Sequence, residues 1–92
     1  MNEEIIEAAI KKYGVAMQTV VAIEEMSELT KELTKALRGK ENIEGIVEEL
    51  ADVYIMLNQV QMMFGISDDR VKEMMDLKIQ RLDRRIKKGA DA

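Results

Sequence analysis

Apolar residues recur along this chain at the three- and four-residue spacing of amphipathic helices. Nowhere do they alternate as in a half-buried strand. Ile5, Ile6, Ala9 and Ile10 mark a first short helix over about residues 2 to 12, interrupted by Tyr13 and Gly14. A second helix runs from about Val15 to Arg38 and stops at Gly39, a residue suited to the left-handed turn that ends a helix. "GKEN" at 39 to 42 forms the connection. Asn42 is the expected N-cap of a third helix, with Glu44 in the first turn, where the helix dipole favours an acid. That helix runs to about Phe64, before Gly65. Ser67 is the expected cap of a fourth, with Asp68 and Asp69 in its first turn, ending near Lys88.

The fold class this predicts is all-α. It is an antiparallel helical bundle of three long helices plus a short N-terminal helix, in a single domain over residues 1–92. The short connection after Gly39 makes the second and third helices an antiparallel hairpin. Val20, Val21 and Ile23 leave the second helix apolar on nearly every side, and a helix of that kind is buried. One chain of this length cannot cover it, so completion by homo-oligomerisation, as a homodimer or homotetramer, is expected. On the third helix Val53, Met56, Leu57, Val60, Met63 and Phe64 define a broad apolar stripe, which assigns Phe64 to the core.

Carboxylates interrupt these stripes. Glu49 lies four residues before Val53 and seven before Met56, on the stripe itself; Asp52 lies at its edge. On the second helix Glu25 and Glu28 follow Val21 by four and seven residues. Each pair is three residues apart and therefore shares a helix face. In an antiparallel hairpin the two pairs stand at similar depth, so four carboxylates converge. Like charges in a partly apolar cleft repel and lose hydration, at several kcal/mol per ion unless compensated. Protonation is one compensation, and a multivalent cation is the other.

Composition narrows the cation. The chain has no histidine and no cysteine, which removes imidazole and thiolate ligands, disulfides and the usual nucleophilic dyads. Oxygen ligands alone favour hard ions such as magnesium, manganese or calcium. Net charge is −4, unevenly placed. Residues 1 to 52 hold twelve acids and six bases, whereas residues 78 to 88 hold six bases and one acid. An acidic middle and a basic end suit a site that handles both cations and anions, although charge runs are more often solvated faces. The basic segment has no interleaved aromatics, which argues against nucleic acid. The chain shows no apolar run of membrane-spanning length and no signal-peptide pattern at "MNEEIIEAAIKKYG", so the expectation is no membrane association and a cytoplasmic location.

"EEMSE" at 24 to 28, followed by "ELAD" at 49 to 52, resembles the EExxE…ExxD signature of the MazG-like, all-α nucleoside triphosphate pyrophosphohydrolases. "KKYGVAMQTVVAIEEMSELTKEL", "LRGK", "IVEELADVYIMLNQV" and "DLKIQRLDRR" are similar to the small phage-type and bacterial members along nearly the whole chain. The resemblance implies hydrolysis of a nucleoside or deoxynucleoside triphosphate between the α- and β-phosphates, giving a monophosphate and pyrophosphate. It implies Mg2+, or Mn2+, held by Glu25, Glu28, Glu49 and Asp52, with Glu24 as a water-orienting base or outer ligand. It implies that Lys78 meets the phosphates. Arg81 and Arg84 stand where the family often has asparagine and arginine; Arg84 keeps the phosphate-binding chemistry, and Arg81 departs from the pattern. Gln18 matches a frequent glutamine of the family and is assigned to the substrate. Glu48 is read as facing solvent. Phosphoryl chemistry needs positioning and charge neutralisation more than a covalent nucleophile, which fits a chain offering acids for a metal and bases for phosphates.

Two other readings are open. One is a helical dimerisation or regulatory module without enzymatic activity, which predicts exposed acids and no response to magnesium. The other keeps the chemistry and narrows the substrate to dUTP, dCTP or phosphoribosyl-ATP.

Overall fold

The computed structural model describes residues 1–89, and among these the only regular elements are four α-helices: α1 (Glu3–Tyr13), α2 (Val15–Leu37), α3 (Ile43–Met63) and α4 (Asp68–Lys88). Their ends follow local chemistry. The Asn2 side chain accepts from the Ile5 amide at 3.2 Å and starts α1, with Glu3 and Glu4 in the first turn. Gly14 alone separates α1 from α2. Its φ of 87° lies in a region that a side chain would strain, which is why the helical pattern breaks there. The Ser67 hydroxyl accepts from the Arg70 amide at 3.2 Å and starts α4.

Asn42 is the N-cap residue of α3, as expected, and its carbonyl accepts from the Ile46 amide at 3.0 Å, but its side chain is used elsewhere. Its side chain forms no cap hydrogen bond. The amide turns back instead and donates to the Glu32 carbonyl at 2.9 Å, tying the start of α3 to α2 and leaving the buried Asn42 Oδ1 without a partner. The Glu32 carboxylate completes this end of the hairpin. It pairs with Lys35 at 3.1 Å and lies over Gly45, in the first turn of α3, where the helix dipole favours a negative charge. A Cβ at position 45 would overlap Glu32 Oε1. Glycine costs helix stability at an interior position, and here it makes room for the carboxylate.

α2 and α3 form the expected antiparallel hairpin, and α1 packs against both. Among the described residues the buried apolar ones come one from each of these three helices: Ile6, Ala22 and Met56. Beside them Gln18 and Gln59 are buried and joined by a 2.7 Å hydrogen bond from Gln18 Nε2 to Gln59 Oε1. A buried amide pair of this kind fixes the hairpin register, because sliding the helices would leave both side chains unpaired.

The third long helix departs from the expected bundle. α4 buries no residue and makes no substantial contact with the other helices. It carries eight bases and five acids in 21 residues, so any packing surface it offers is narrow. Phe64, expected in the core, is 57% exposed, because it is the C-cap residue of α3 and lies past the hairpin seam. Val20 and Ile23 are exposed and Val21 is half-buried. The radius of gyration is 16.3 Å, against about 12 Å for a compact chain of this length. The accessible surface is 7413 Å², against roughly 5400 Å² for a compact monomer. Among the described residues no helix is long and apolar enough to cross a membrane.

The Glu32–Gly45 contact gives a double-mutant test. Gly45→Ala should gain about 0.5–1 kcal/mol in helix propensity. In the wild-type background the displaced carboxylate should cancel that gain; in Glu32→Ala it should appear in full. Urea unfolding of the four proteins reads the coupling, and additive effects would separate the two residues.

Candidate metal centre

The seam between α2 and α3 changes character along its length. At one end lie Gln18 and Gln59, then Ala22 and Met56, then the acids, then Glu32 against Gly45. Glu25 of α2 and Glu49 and Asp52 of α3 are half-buried, and one oxygen from each lies within 4.8 Å of the others. That is the span of opposite ligands about a hard divalent ion with bonds of about 2.1–2.4 Å. Helix geometry produces the convergence. Asp52 and Glu49 are one turn apart on α3, and Glu25 lies one turn beyond Ala22, which faces the same seam.

The electrostatics are uncompensated. Burial pushes the Glu25 carboxyl above its ordinary range. Hydrogen bonding with Asp52 and the charges of Asp52, Glu49 and Glu28 push it in the same direction. Burial likewise raises Glu49, followed by the charges of Asp52, Glu28, Glu48 and Glu32. Among the described residues no lysine or arginine forms an ion pair with Glu25, Glu28, Glu49 or Asp52; the ion pairs formed are Lys11–Glu7, Lys35–Glu32 and Lys87–Asp83. Glu49 Oε2 is buried and has no hydrogen-bond partner. An orphaned carboxylate oxygen among acids, in an all-oxygen donor set, fits a hard cation.

The remaining candidate residues sort by position. Glu28 is exposed and outside the converging three, yet close enough that its charge acts on both Glu25 and Glu49. Glu24 is exposed. Glu48 is exposed, as expected. Gln18 stands seven residues from Glu25, about 10 Å along the helix axis, with its amide donating to Gln59. Lys78, Arg81 and Arg84 are exposed on α4. Lys78 borders a groove of about 410 Å³ lined by Ile66, Arg70, Val71, Met74 and Met75. The structure does not bring these cations into an ion pair with the acids.

Two residues escaped the sequence reading. Glu32 extends the acidic face seven residues beyond Glu25, and Gln59 stands seven beyond Asp52. Each lies two helical turns along a face already identified, so the spacing itself held the signal.

Comparison with protein-family models, with curated proteins and with solved structures gives no match.

Two stability effects follow. A carboxyl whose folded pKa lies above its unfolded value binds more protons when folded. The destabilisation from Glu25 and Glu49 is therefore complete above their raised folded values and vanishes as pH falls toward the unfolded value near 4.5. With chelator present, the melting temperature should rise as pH drops from neutral toward that range. Glu32 has the opposite sign. Its carboxyl is held low, first by the hydrogen bond with Lys35, so its contribution is lost only below the usual range. Glu49→Gln should flatten the rise and raise the metal-free melting temperature at neutral pH. A melting temperature that instead climbs from acid to neutral pH in both proteins would remove the repulsion.

Proposed function

We propose that this chain is a divalent-metal-dependent nucleoside triphosphate pyrophosphohydrolase, acting on a nucleoside or deoxynucleoside triphosphate between the α- and β-phosphates. The observation that supports it is the convergence of Glu25, Glu49 and Asp52 in the hairpin seam, with Glu49 Oε2 buried and unpartnered. The resemblance of "EEMSE" and "ELAD" to the family signature gives that cluster a chemistry.

In this reading Glu25, Glu49 and Asp52 hold Mg2+ or Mn2+, and Glu28, one turn along α2, supplies a further oxygen. When bound, the metal neutralises phosphate charge and lowers the pKa of water. Glu24 is exposed and available as an outer ligand or a base for that water. Lys78 and Arg84 bind phosphate oxygens, and Arg81 contacts the sugar or base. Gln18, which donates one N–H to Gln59, has its second N–H and its carbonyl oxygen to offer the nucleotide. Because α4 stands away from the hairpin, its cations meet the acids only when an α4 comes over the seam, from the same chain or from a second copy. A homodimer or homotetramer and a cytoplasmic location belong to the same reading.

The large exposed apolar surface favours a second reading, an association module without activity. Both readings predict self-association, and only the enzyme requires the metal. A panel of nucleoside triphosphates, dUTP and dCTP among them, assayed with magnesium for pyrophosphate release, should show turnover by the wild-type chain. Magnesium should raise its melting temperature, because a ligand that binds only the folded state stabilises it. Glu49→Gln should lose that rise with helical content intact. Lys78→Ala should keep the rise and lose about a hundredfold in rate, the usual size of a lost preorganised charge contact. Arg81→Ala should be milder or should shift nucleotide preference. No pyrophosphate from any nucleotide, together with no thermal response to magnesium, would leave the association module.

A further inference from the structure

Three polar layers cross the α2–α3 seam, and they repeat at the same interval on both helices. Gln18, Glu25 and Glu32 are seven residues apart on α2; Gln59, Asp52 and Gly45 are seven apart on α3. The structure pairs them in that order. Gln18 donates to Gln59, Glu25 shares a hydrogen bond with Asp52, and Glu32 lies over Gly45. One antiparallel register therefore satisfies all three layers together. Seven residues is also two turns, the interval at which an apolar seam repeats, so leucines at these places would accept more than one register.

The layers differ in what holds them. The Glu32 layer sits beside the turn, where the short connection over residues 38–42 already limits movement. The acids lie about 10 Å further along, and their repulsion drives the helices apart or past each other. The Gln18–Gln59 layer lies about another 10 Å on, at the open end of the hairpin. Both glutamines are almost wholly buried, at 6% and 4% exposed. The buried residues between them and the acids are Ala22, which is small, and Met56, which is flexible; neither dictates a register. A buried polar pair costs desolvation, and an apolar pair of the same size is often as stable or more so. Its best-attested use in a helical seam is to fix register.

We propose that Gln59, through its bond with Gln18, is a positioning residue of the metal centre. It holds α2 and α3 in the one register in which Glu25 meets Asp52 and Glu49, and so sets the affinity of the acids for a divalent cation at some cost in stability. The proposal rests on reading the acids as a metal centre. Such a site needs its ligands held to within about 0.5 Å, whereas one residue of slide moves a ligand by about 1.5 Å.

The test separates affinity from stability, which a merely structural role would move together. Mn2+ is titrated alone, without nucleotide, and the melting temperature is measured in chelator. Gln18→Leu combined with Gln59→Leu replaces both partners by apolar groups of similar size. The double variant should melt at or above the wild type and bind Mn2+ about 10- to 100-fold more weakly, the range lost when supporting residues of a metal site are removed. Gln59→Glu keeps an acceptor for Gln18 and adds a buried charge. It should melt below the wild type and still bind Mn2+ about as tightly. A double variant with wild-type affinity overturns the proposal. So does a double variant that melts far below the wild type, because the pair would then be a stabilising contact and not a positioning one. A wild-type chain that takes up no Mn2+ removes the metal centre itself. Wild-type binding with an unaffected double variant leaves that centre standing and removes the role of Gln59 alone.

Discussion

The repulsion among Glu25, Glu49 and Asp52 is the constraint around which the rest of the molecule is arranged. Three half-buried carboxylates stand where a helical hairpin would ordinarily place leucines, and among the described residues no cation pairs with them. Hairpin packing must hold against that repulsion on both sides of it. On one side Ala22, Met56 and the Gln18–Gln59 bond close the seam, with Ile6 of α1 completing the core. On the other side Asn42 and Glu32 tie the helices together next to the turn. The acids are held at close range because each end is clamped.

That arrangement separates the work of the two ends. A bare apolar seam could slide, since any leucine packs against any other. The glutamine pair permits one register, and the Glu32 contact with Gly45 permits one approach. Both are polar devices with little tolerance for displacement, and both flank the carboxylates. A structural role for Gln18 and a role toward the substrate therefore use the same amide: as the chain stands, one of its N–H groups is committed to Gln59.

The surface is organised by the same shortage of core. Among the described residues a single chain buries only three apolar side chains, and α4 extends away from the rest. Its apolar residues then fall into two kinds of place. Some line the interior of the α1–α3 unit, and the others are exposed along all four helices. The exposed apolar residues of α3 have almost neutral neighbours, whereas those of α4 are bordered by Lys78, Arg81 and Arg85.

Helix positions were legible in the sequence to within about two residues, because periodicity, glycines at the ends and the capping serine are all local. The hairpin, and the pairing of Glu25 with Glu49 and Asp52, were legible too, because a short turn between two helices leaves one antiparallel arrangement. Tertiary structure decided what lies between those local facts. It kept Asn42 at the N-cap of α3 but directed its side-chain amide to the Glu32 carbonyl of the neighbouring helix. It set Glu28 at the rim and not among the converging three, a difference of one helical step that spacing does not resolve. It placed Phe64 outside, because an apolar stripe says that a face is sticky without saying which neighbour meets it. It stood α4 apart for the same reason: periodicity identifies a packing face, and only the other surfaces available in space determine whether that face is used within the chain.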